Sequence, residues 1–490
     1  MEFLGRETEL RDIKEKLRSD HFEALLIYGR RRVGKSELVK EAIKESGLES
    51  IIYICLQDIL SENIKNLASA ATSFFHDDFV QLNDLDSFLK YVFKKSENQK
   101  FILFIDEYPY LRGTTRRKGQ TESERESMKE RGRAIDSRFQ AAIDTYKNNS
   151  KLKLILCGSL IEVMEDLMDD DAPLFGRFSY TKRLEPFDYY ESALFFPGIS
   201  NEKKLEFYAC FGGIPFYLTL LNPQKSLREN MEQYLIPTGS VLESEVTVQL
   251  RQEMDKLESA NYILGTIGRG IHANNDLRNT PGSKSKSLES YLEKLTNIGL
   301  IEKTAPINEP TNRKKFSYYI SDNFLDFYYS FLYKRQSERL NLSPDEFFDK
   351  FIGGERFRTY IARKFETVAK EYLRRLNKAK LLKPSFNTIG RYVYNDKNAK
   401  RNNEFDVVTK DDCGMAYYEC KYEKSKVSAK EIRAEIASTK EIGLNFYKYG
   451  FFSKSGFEAD VEAGKYALYS LDDLYDLKNA IAANKNMYMY

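Results

Sequence analysis

The residues Gly29-Arg30-Arg31-Arg32-Val33-Gly34-Lys35-Ser36 follow the apolar run Ala24-Leu25-Leu26-Ile27-Tyr28. Together they form a full GxxxxGK[ST] phosphate loop, set between an expected strand and an expected helix. Backbone N–H groups of such a loop, with the N-terminus of the helix behind it, cradle a polyanion. Lys35 would reach the β- and γ-phosphates and Ser36 would hold Mg²⁺. The stretch predicts a nucleoside triphosphate site made by Gly29, Arg30, Arg31, Arg32, Val33, Gly34, Lys35 and Ser36.

Outward from the loop, the rest of a nucleotide-binding core is legible. Gly5-Arg6-Glu7 opens a helix whose apolar face runs through Ile13 and Leu17. Ser50–Leu56 reads as a second strand. Phe101-Ile102-Leu103-Phe104-Ile105-Asp106-Glu107 reads as a central parallel strand delivering two acids at its carboxyl end. Asp106 would hold a water of the Mg²⁺ shell, and Glu107 would polarise the attacking water. A solvated strand end is the bland reading of the same pair.

Lys153–Ser159 supplies another buried strand ending in Ser159, which would sense the γ-phosphate or orient water, or else simply cap a helix. Arg177, in Leu174-Phe175-Gly176-Arg177, would meet developing phosphate charge within the chain or across a subunit boundary of a homo-oligomer; a plain surface arginine is the alternative. Arg112–Arg133 is rich in Arg, Lys and Glu with almost no apolar residue. It is expected to be an exposed, mobile insertion before a helix over 134–147.

At 490 residues, 42% hydrophobic and 31% charged, the chain exceeds one core and predicts roughly two to four folded domains. A net charge of +2 excludes a globally basic polyanion binder, so any nucleic-acid surface must be local. No run reaches the roughly 18 apolar residues of a membrane helix, and MEFLGRETEL lacks a signal-peptide core. Five scattered cysteines read as reduced residues of a cytoplasmic protein. His21, His76 and His272 share no ligand spacing, which sets aside a histidine metal centre.

Residues 188–250 read as helical, with a compact turn at Phe211-Gly212-Gly213-Ile214-Pro215. They suggest a small lid over the nucleotide. Helices over Glu258–Gly268, Asn274–Asn279 and Ser285–Gly299 precede two strands around Arg313-Lys314-Lys315, the order of a winged helix-turn-helix. Lys284, Lys286 and Arg313–Lys315 would contact phosphates, or the unit serves as a structural spacer.

Beyond residue 345 the pattern becomes α/β. A helix over Phe357–Leu376 carries Glu366. Strands follow at Arg391–Tyr394, Glu404–Val408 and Met415–Lys421. Side chains two apart share a strand face, so Glu419 and Lys421 point together, as do Glu404 and Asp406. Phosphodiester hydrolysis needs carboxylates for Mg²⁺ and a cation near the attacking water. Asp406 and Glu419 would ligate the metal, Lys421 would orient water or stabilise charge, and Glu366 would complete the site. Lys364, Lys370, Arg374, Arg375, Lys378, Lys380 and Lys383 would offer phosphate contacts. An ordinary ion-paired strand surface is the alternative.

Taken together, Gly5-Arg6-Glu7, the Gly29–Ser36 loop, Asp106-Glu107, Gly158-Ser159, Gly176-Arg177 and Gly212-Gly213-Ile214-Pro215 make the chain resemble a known architecture. It is that of archaeal-type ATPases of the AAA+-like/STAND region of P-loop proteins, fused to a C-terminal DUF234-type domain. The resemblance implies ATP binding and hydrolysis, a helical lid and a following winged helix. The last part resembles the PD-(D/E)xK restriction-endonuclease-like superfamily. Its helix acid matches Glu366, its metal aspartate Asp406, and its ExK pair Glu419-Cys420-Lys421; Arg391-Tyr392-Val393-Tyr394 departs modestly from the aromatic strand of related chains.

The expected fold is therefore α/β. It comprises a parallel-sheet P-loop ATPase core (1–187), a helical lid (188–254), a winged helix-turn-helix (255–340) and a restriction-endonuclease-like α/β domain (345–490). The expected activity is ATP hydrolysis with Mg²⁺, coupled to a C-terminal half that binds DNA or other nucleic acid and cleaves it. The alternative is an ATP-regulated scaffold or DNA-binding regulator that cleaves nothing.

Overall fold

In the computed structural model, residues 3–77, 79–113, 122–254, 257–280, 288–396, 401–441, 443–462 and 464–476 are described. The chain forms two compact units. The first comprises residues up to Pro186, with Ile214–Phe216 and Val248–Leu257; the second comprises Phe187–Gly213, Tyr217–Thr247 and the chain from Glu258 onward.

The first unit is a five-stranded parallel sheet: β1 (Glu23–Gly29), β2 (Ser50–Ile54), β3 (Ile102–Asp106), β4 (Lys153–Gly158) and β5 (Tyr180–Leu184). Their spatial order is β2-β3-β4-β1-β5. β1, β3 and β4 are buried along their whole length, whereas edge strands β2 and β5 are partly exposed. Central strands covered on both faces need apolar residues at every position, hence their unbroken Leu/Ile/Phe runs. Alternate residues feed different layers: Leu26, Leu103, Ile105, Leu154 and Leu156 on one face, Leu25, Ile27, Phe104 and Ile155 on the other. The helix Lys35–Ser46 closes the second layer through Leu38, Val39 and Ala42.

The charged stretch after Arg112 departs from expectation. Residues 114–121 lie outside the described part, but residues 122–133 belong to one long helix, Glu122–Tyr146, which starts well before position 134. Ion pairs hold its first turns down: Lys129 with Asp166 at 2.7 Å and Arg133 with Asp171 at 2.7 Å. Buried Arg112 meets Asp136 of the same helix at 2.9 Å and Asp166 at 2.7 Å.

In the second unit, helices Leu257–Gly268, Asn274–Asn279 and Leu288–Asn297 precede an antiparallel hairpin of β6 (Ile301–Thr304) and β7 (Ser317–Ile320). Ala273 bridges Ser317 at the hairpin's edge. Lys284 and Lys286 fall outside the described residues. Further on come β8 (Thr388–Asp396), β9 (Arg401–Asp411), β10 (Gly414–Lys421), β11 (Lys448–Ser453) and β12 (Ala467–Ser470). β8, β9 and β10 are an antiparallel meander, while β10, β11 and β12 run parallel. The helix Ala429–Glu441 supplies the crossover that a parallel β10–β11 pair requires.

The long helix Glu355–Lys378 buries Ile361, Phe365, Val368 and Tyr372. Phe365 packs on Tyr422, and Tyr372 on Phe452 and Tyr469. This helix also binds residues that follow the division at Pro186/Phe187. Glu371 accepts hydrogen bonds from Tyr208 Oη at 2.8 Å and Tyr189 N at 3.1 Å, and Arg375 pairs with Asp188. Residues 187–213 thus share a compact unit with the C-terminal region. No helix among the described residues is long and apolar enough to cross a membrane.

Candidate functional site

The phosphate loop leaves β1 at Gly29, whose φ is +147°. A Cβ there would stand 2.3 Å from the carbonyl oxygen of Leu184 on β5, so only glycine allows the loop to start this close to the neighbouring strand. The loop ends on Gly34 (φ +90°), a left-handed turn that precedes the helix Lys35–Ser46. Arg6 donates to the carbonyls of Val33 at 3.2 Å and Glu185 at 2.5 Å, pinning the loop to the end of β5. Motif matching alone does not assign Arg6 that task. Arg32 lies over the Phe216 ring at 3.8 Å.

Within the loop, Lys35 Nζ donates to the carbonyls of Gly29 at 2.9 Å and Arg30 at 3.0 Å. Ser36 Oγ donates to Asp106 Oδ2 at 2.6 Å, and Glu107 N donates to Asp106 Oδ1 at 3.0 Å. β4 lies between β3 and β1, so its carboxyl end stands between the two acids and the loop. Ser159 there donates from N at 3.2 Å and from Oγ at 2.8 Å to Glu107 Oε2. Its hydroxyl therefore holds the glutamate and caps no helix. Glu107 itself has φ +53°, a left-handed conformation that costs a non-glycine residue about 1 kcal/mol or more.

The residues fit a nucleotide with its Mg²⁺: a glycine-lined anion cradle, an ammonium group inside it, and a hydroxyl–carboxylate pair for a hard cation. Arg177 is not brought to this site. It pairs with Asp144 at 2.7 Å, and neighbouring Ser179 N bonds Ala24 O at the start of β1, the end of the strands opposite the loop. An in-chain contact with the nucleotide is excluded by that placement.

A second cluster occupies the C-terminal sheet. Glu366, Glu404 and Asp406 line one cleft of about 670 Å³, together with Lys370, Arg374 and Arg391. Burial, and then the charge of Asp406, push the Glu366 carboxyl up to about 8. Burial also raises Asp406, with Glu404 and Glu419 adding to the rise. Carboxylates crowded in this way favour a bound proton or cation. Lys421 Nζ pairs with Glu419 at 2.8 Å, as the shared strand face predicts. Burial opposes the lysine's charge, but the bond to Glu419 outweighs it and raises the pKa.

Tyr417 and Glu435 complete the surroundings and were not legible in the motif. Tyr417 Oη donates to Glu419 and stands 3.0 Å from Glu435 on the crossover helix. Among the described residues, no group of three or more His, Cys, Asp or Glu side chains is arranged to hold a metal ion. The metal expectation at Asp406 and Glu419 therefore rests on that pair.

Two cations expected at phosphates are already committed elsewhere. Lys364 is buried against Asp326 at 2.7 Å, and Arg375 is bound to Asp188. Lys378, Lys380 and Lys383 are exposed, and Lys315 pairs with Glu309. Lys370 and Arg374 do reach the cleft.

Comparison with known proteins bears on both units. Residues 3–221 match the model of an ATPase domain predominantly from Archaea. The chain carries an archaeal-type P-loop ATPase domain. Residues 328–432 match DUF234, described as archaeal and bacterial proteins of unknown function, so the ATPase domain is fused to a DUF234 domain. An uncharacterised protein of Methanocaldococcus jannaschii is 29% identical over 477 residues, covering 96% of this chain and 99% of that protein. The Walker-type ATPase of Pyrococcus abyssi is 22% identical, with a TM-score of 0.49 over 67% of this chain and 96% of that one. The ORC2 protein of Aeropyrum pernix is 13% identical, with a TM-score of 0.42 over 69% and 93%. The ATPase domain makes this chain an ATP hydrolase.

Proposed function

We propose that the ATPase domain works with Mg²⁺ and governs a C-terminal half that binds nucleic acid and hydrolyses its phosphodiester bonds. In the ATPase domain, Gly29–Ser36 would bind the phosphates, Ser36 and Asp106 would hold the cation, and Glu107 would take the proton of the attacking water. Ser159 would keep Glu107 aimed. Bound Mg²⁺ would supply charge neutralisation at the phosphates.

The observation that carries the nuclease reading is the meeting of Glu366 from the long helix, Asp406 from β9 and the Glu419–Lys421 pair from β10. The charges of Glu366, Asp406 and Glu419 act on one another and Lys421 pairs with Glu419, and a divalent cation would relieve that repulsion. Asp406 and Glu419 would hold the cation, Lys421 would stabilise charge, and Glu366 would assist as a proton carrier. The three helices and the β6–β7 hairpin support a winged helix-turn-helix, with Arg313 and Lys314 at the tip of the wing. The natural test incubates wild type and Asp406→Ala with DNA or RNA, ATP, and Mg²⁺ or Mn²⁺. Cleavage lost in Asp406→Ala or Lys421→Ala, with ATP turnover intact, is the expected outcome; equal inactivity of wild type and variant sinks the nuclease reading.

Two observations favour the other reading, an ATP-regulated scaffold or DNA-binding regulator. Glu419 is already engaged by Lys421 and Tyr417, and no three-ligand metal group exists among the described residues. On that reading the same proteins bind nucleic acid and release no fragments.

A further inference from the structure

Within the second unit, three adjoining clefts share residues. One of about 370 Å³ and one of about 490 Å³ have Arg269, Ser330 and Arg356 in common. The latter shares Thr359 and Arg363 with the carboxylate-lined cleft of about 670 Å³. The common wall is one face of the helix Glu355–Lys378. Arg356, Arg363 and Lys370 are seven residues apart, which on a helix of about 3.6 residues per turn returns nearly to the same face. They span about 21 Å at a rise of about 1.5 Å per residue, and the stripe ends beside Glu366 and Asp406.

The charge along this wall is unbalanced. The first cleft carries Arg269, Lys334, Arg335 and Arg356 against Glu338. Among the described residues, Arg269 and Arg356 pair with no carboxylate: Arg269 donates to Thr266 Oγ1 at 3.3 Å and Arg356 to Ser330 O at 2.5 Å. Arg363 shares Asp326 with Lys364, so two cations face one carboxylate. Burial and the neighbouring guanidinium of Arg335 lower the Arg356 pKa from its ordinary value. Cations held together in excess of their counter-charges cost energy that an anionic ligand would recover.

We propose that Arg269, Arg356 and Arg363 form a phosphate track that guides a nucleic-acid strand along the helix Glu355–Lys378 to the Glu366–Asp406 cleft. Arg356 and Arg363 recur with Lys370 every seven residues along the helix, with Arg269 beside Arg356, and such a row suits a repeating phosphodiester backbone better than a single small anion. The track rests on the phosphodiester reading of that cleft, but it concerns binding and stands or falls separately from cleavage. It also differs from the cations that sequence alone singles out, two of which are spent on Asp326 and Asp188.

The test measures binding of fluorescein-labelled single-stranded DNA, duplex DNA and RNA to the full chain by anisotropy, in EDTA, over a series of salt concentrations. In the Arg269→Gln/Arg356→Gln protein the slope of log K against log salt should fall by about 1 for every phosphate deprived of its arginine, so by about 2. The Arg269→Lys/Arg356→Lys protein should recover most of that slope, and matched melting temperatures would exclude misfolding. An unchanged slope in the glutamine variant, or no salt-dependent binding by wild type, overturns the track. Strands bound along the track yet never cut in Mg²⁺ or Mn²⁺ keep the track and remove the cleavage reading. Cleavage by the glutamine variant with unaltered KM removes the track and keeps the cleavage reading.

Discussion

Replacing Ser159 by Ala should slow ATP hydrolysis without weakening ATP binding. Ser159 Oγ donates to Glu107 Oε2 at 2.8 Å, while its backbone N–H makes the longer 3.2 Å bond to the same oxygen. Glu107 sits at φ +53°, so its backbone has little freedom to compensate. A hydrogen bond to a charged group is worth about 1.5–3 kcal/mol. If it is needed to hold the carboxylate against the attacking water, its loss slows turnover about ten- to a hundredfold. The retained backbone N–H bond places the expectation toward the lower end. On the proposed role of Glu107 as base, Glu107→Gln should cost more, about 10²–10⁴-fold. Steady-state phosphate release gives kcat, and calorimetric titration gives nucleotide affinity. Because the Ser159 hydroxyl bonds Glu107, on the proposed role adding Ser159→Ala to Glu107→Gln should slow hydrolysis no further. Weakened ATP affinity with an unchanged kcat would refute this reasoning and make Ser159 a direct phosphate contact, and a faster Ser159→Ala enzyme would make it a restraint.

Gly29→Ala should destabilise the first unit by at least about 1–3 kcal/mol, since the new Cβ would meet Leu184 O at 2.3 Å; an unchanged melting temperature would show that the β1–β5 spacing is wrong. Lys35→Ala should abolish tight ATP binding measured by titration, because its ammonium is the cation inside the loop. Burial pushes the Glu371 carboxyl up to about 7, above its ordinary 4.5. The folded chain thus keeps a proton there that the unfolded chain releases, giving stability present below about pH 4.5 and lost as pH rises through about 7. The loss is on the order of 3 kcal/mol. Chemical denaturation from pH 5 to 8 should show a smaller decline in Glu371→Gln, and parallel declines would contradict the assignment.

Much of the ATP site was readable because its chemistry is local. Eight consecutive residues from Gly29 to Ser36 contain the loop, its lysine and its hydroxyl, and an unbroken apolar run before Asp106-Glu107 announces a buried strand end. The Glu419–Lys421 pairing was equally local, since two residues on one strand face must be neighbours. Residues 122–133 misled for a related reason: composition without apolar residues suggests a free loop, yet they are helix, with Lys129 and Arg133 paired to Asp166 and Asp171 on another segment.

What the chain by itself determined, then, is the set of reactive groups and the strands or helices that carry them, because helix and strand periodicity act over a few residues. Only the tertiary structure decided which groups meet. Inserting β4 between β3 and β1 brought Ser159 to Glu107, while the parallel start of β5 left Arg177 at the end of the strands away from the loop. Packing of the long helix gave Lys364 to Asp326 and Arg375 to Asp188, while Arg269 and Arg356 found no carboxylate among the described residues. Ion pairing and strand order depend on segments tens to hundreds of residues apart, and no local propensity records those distances.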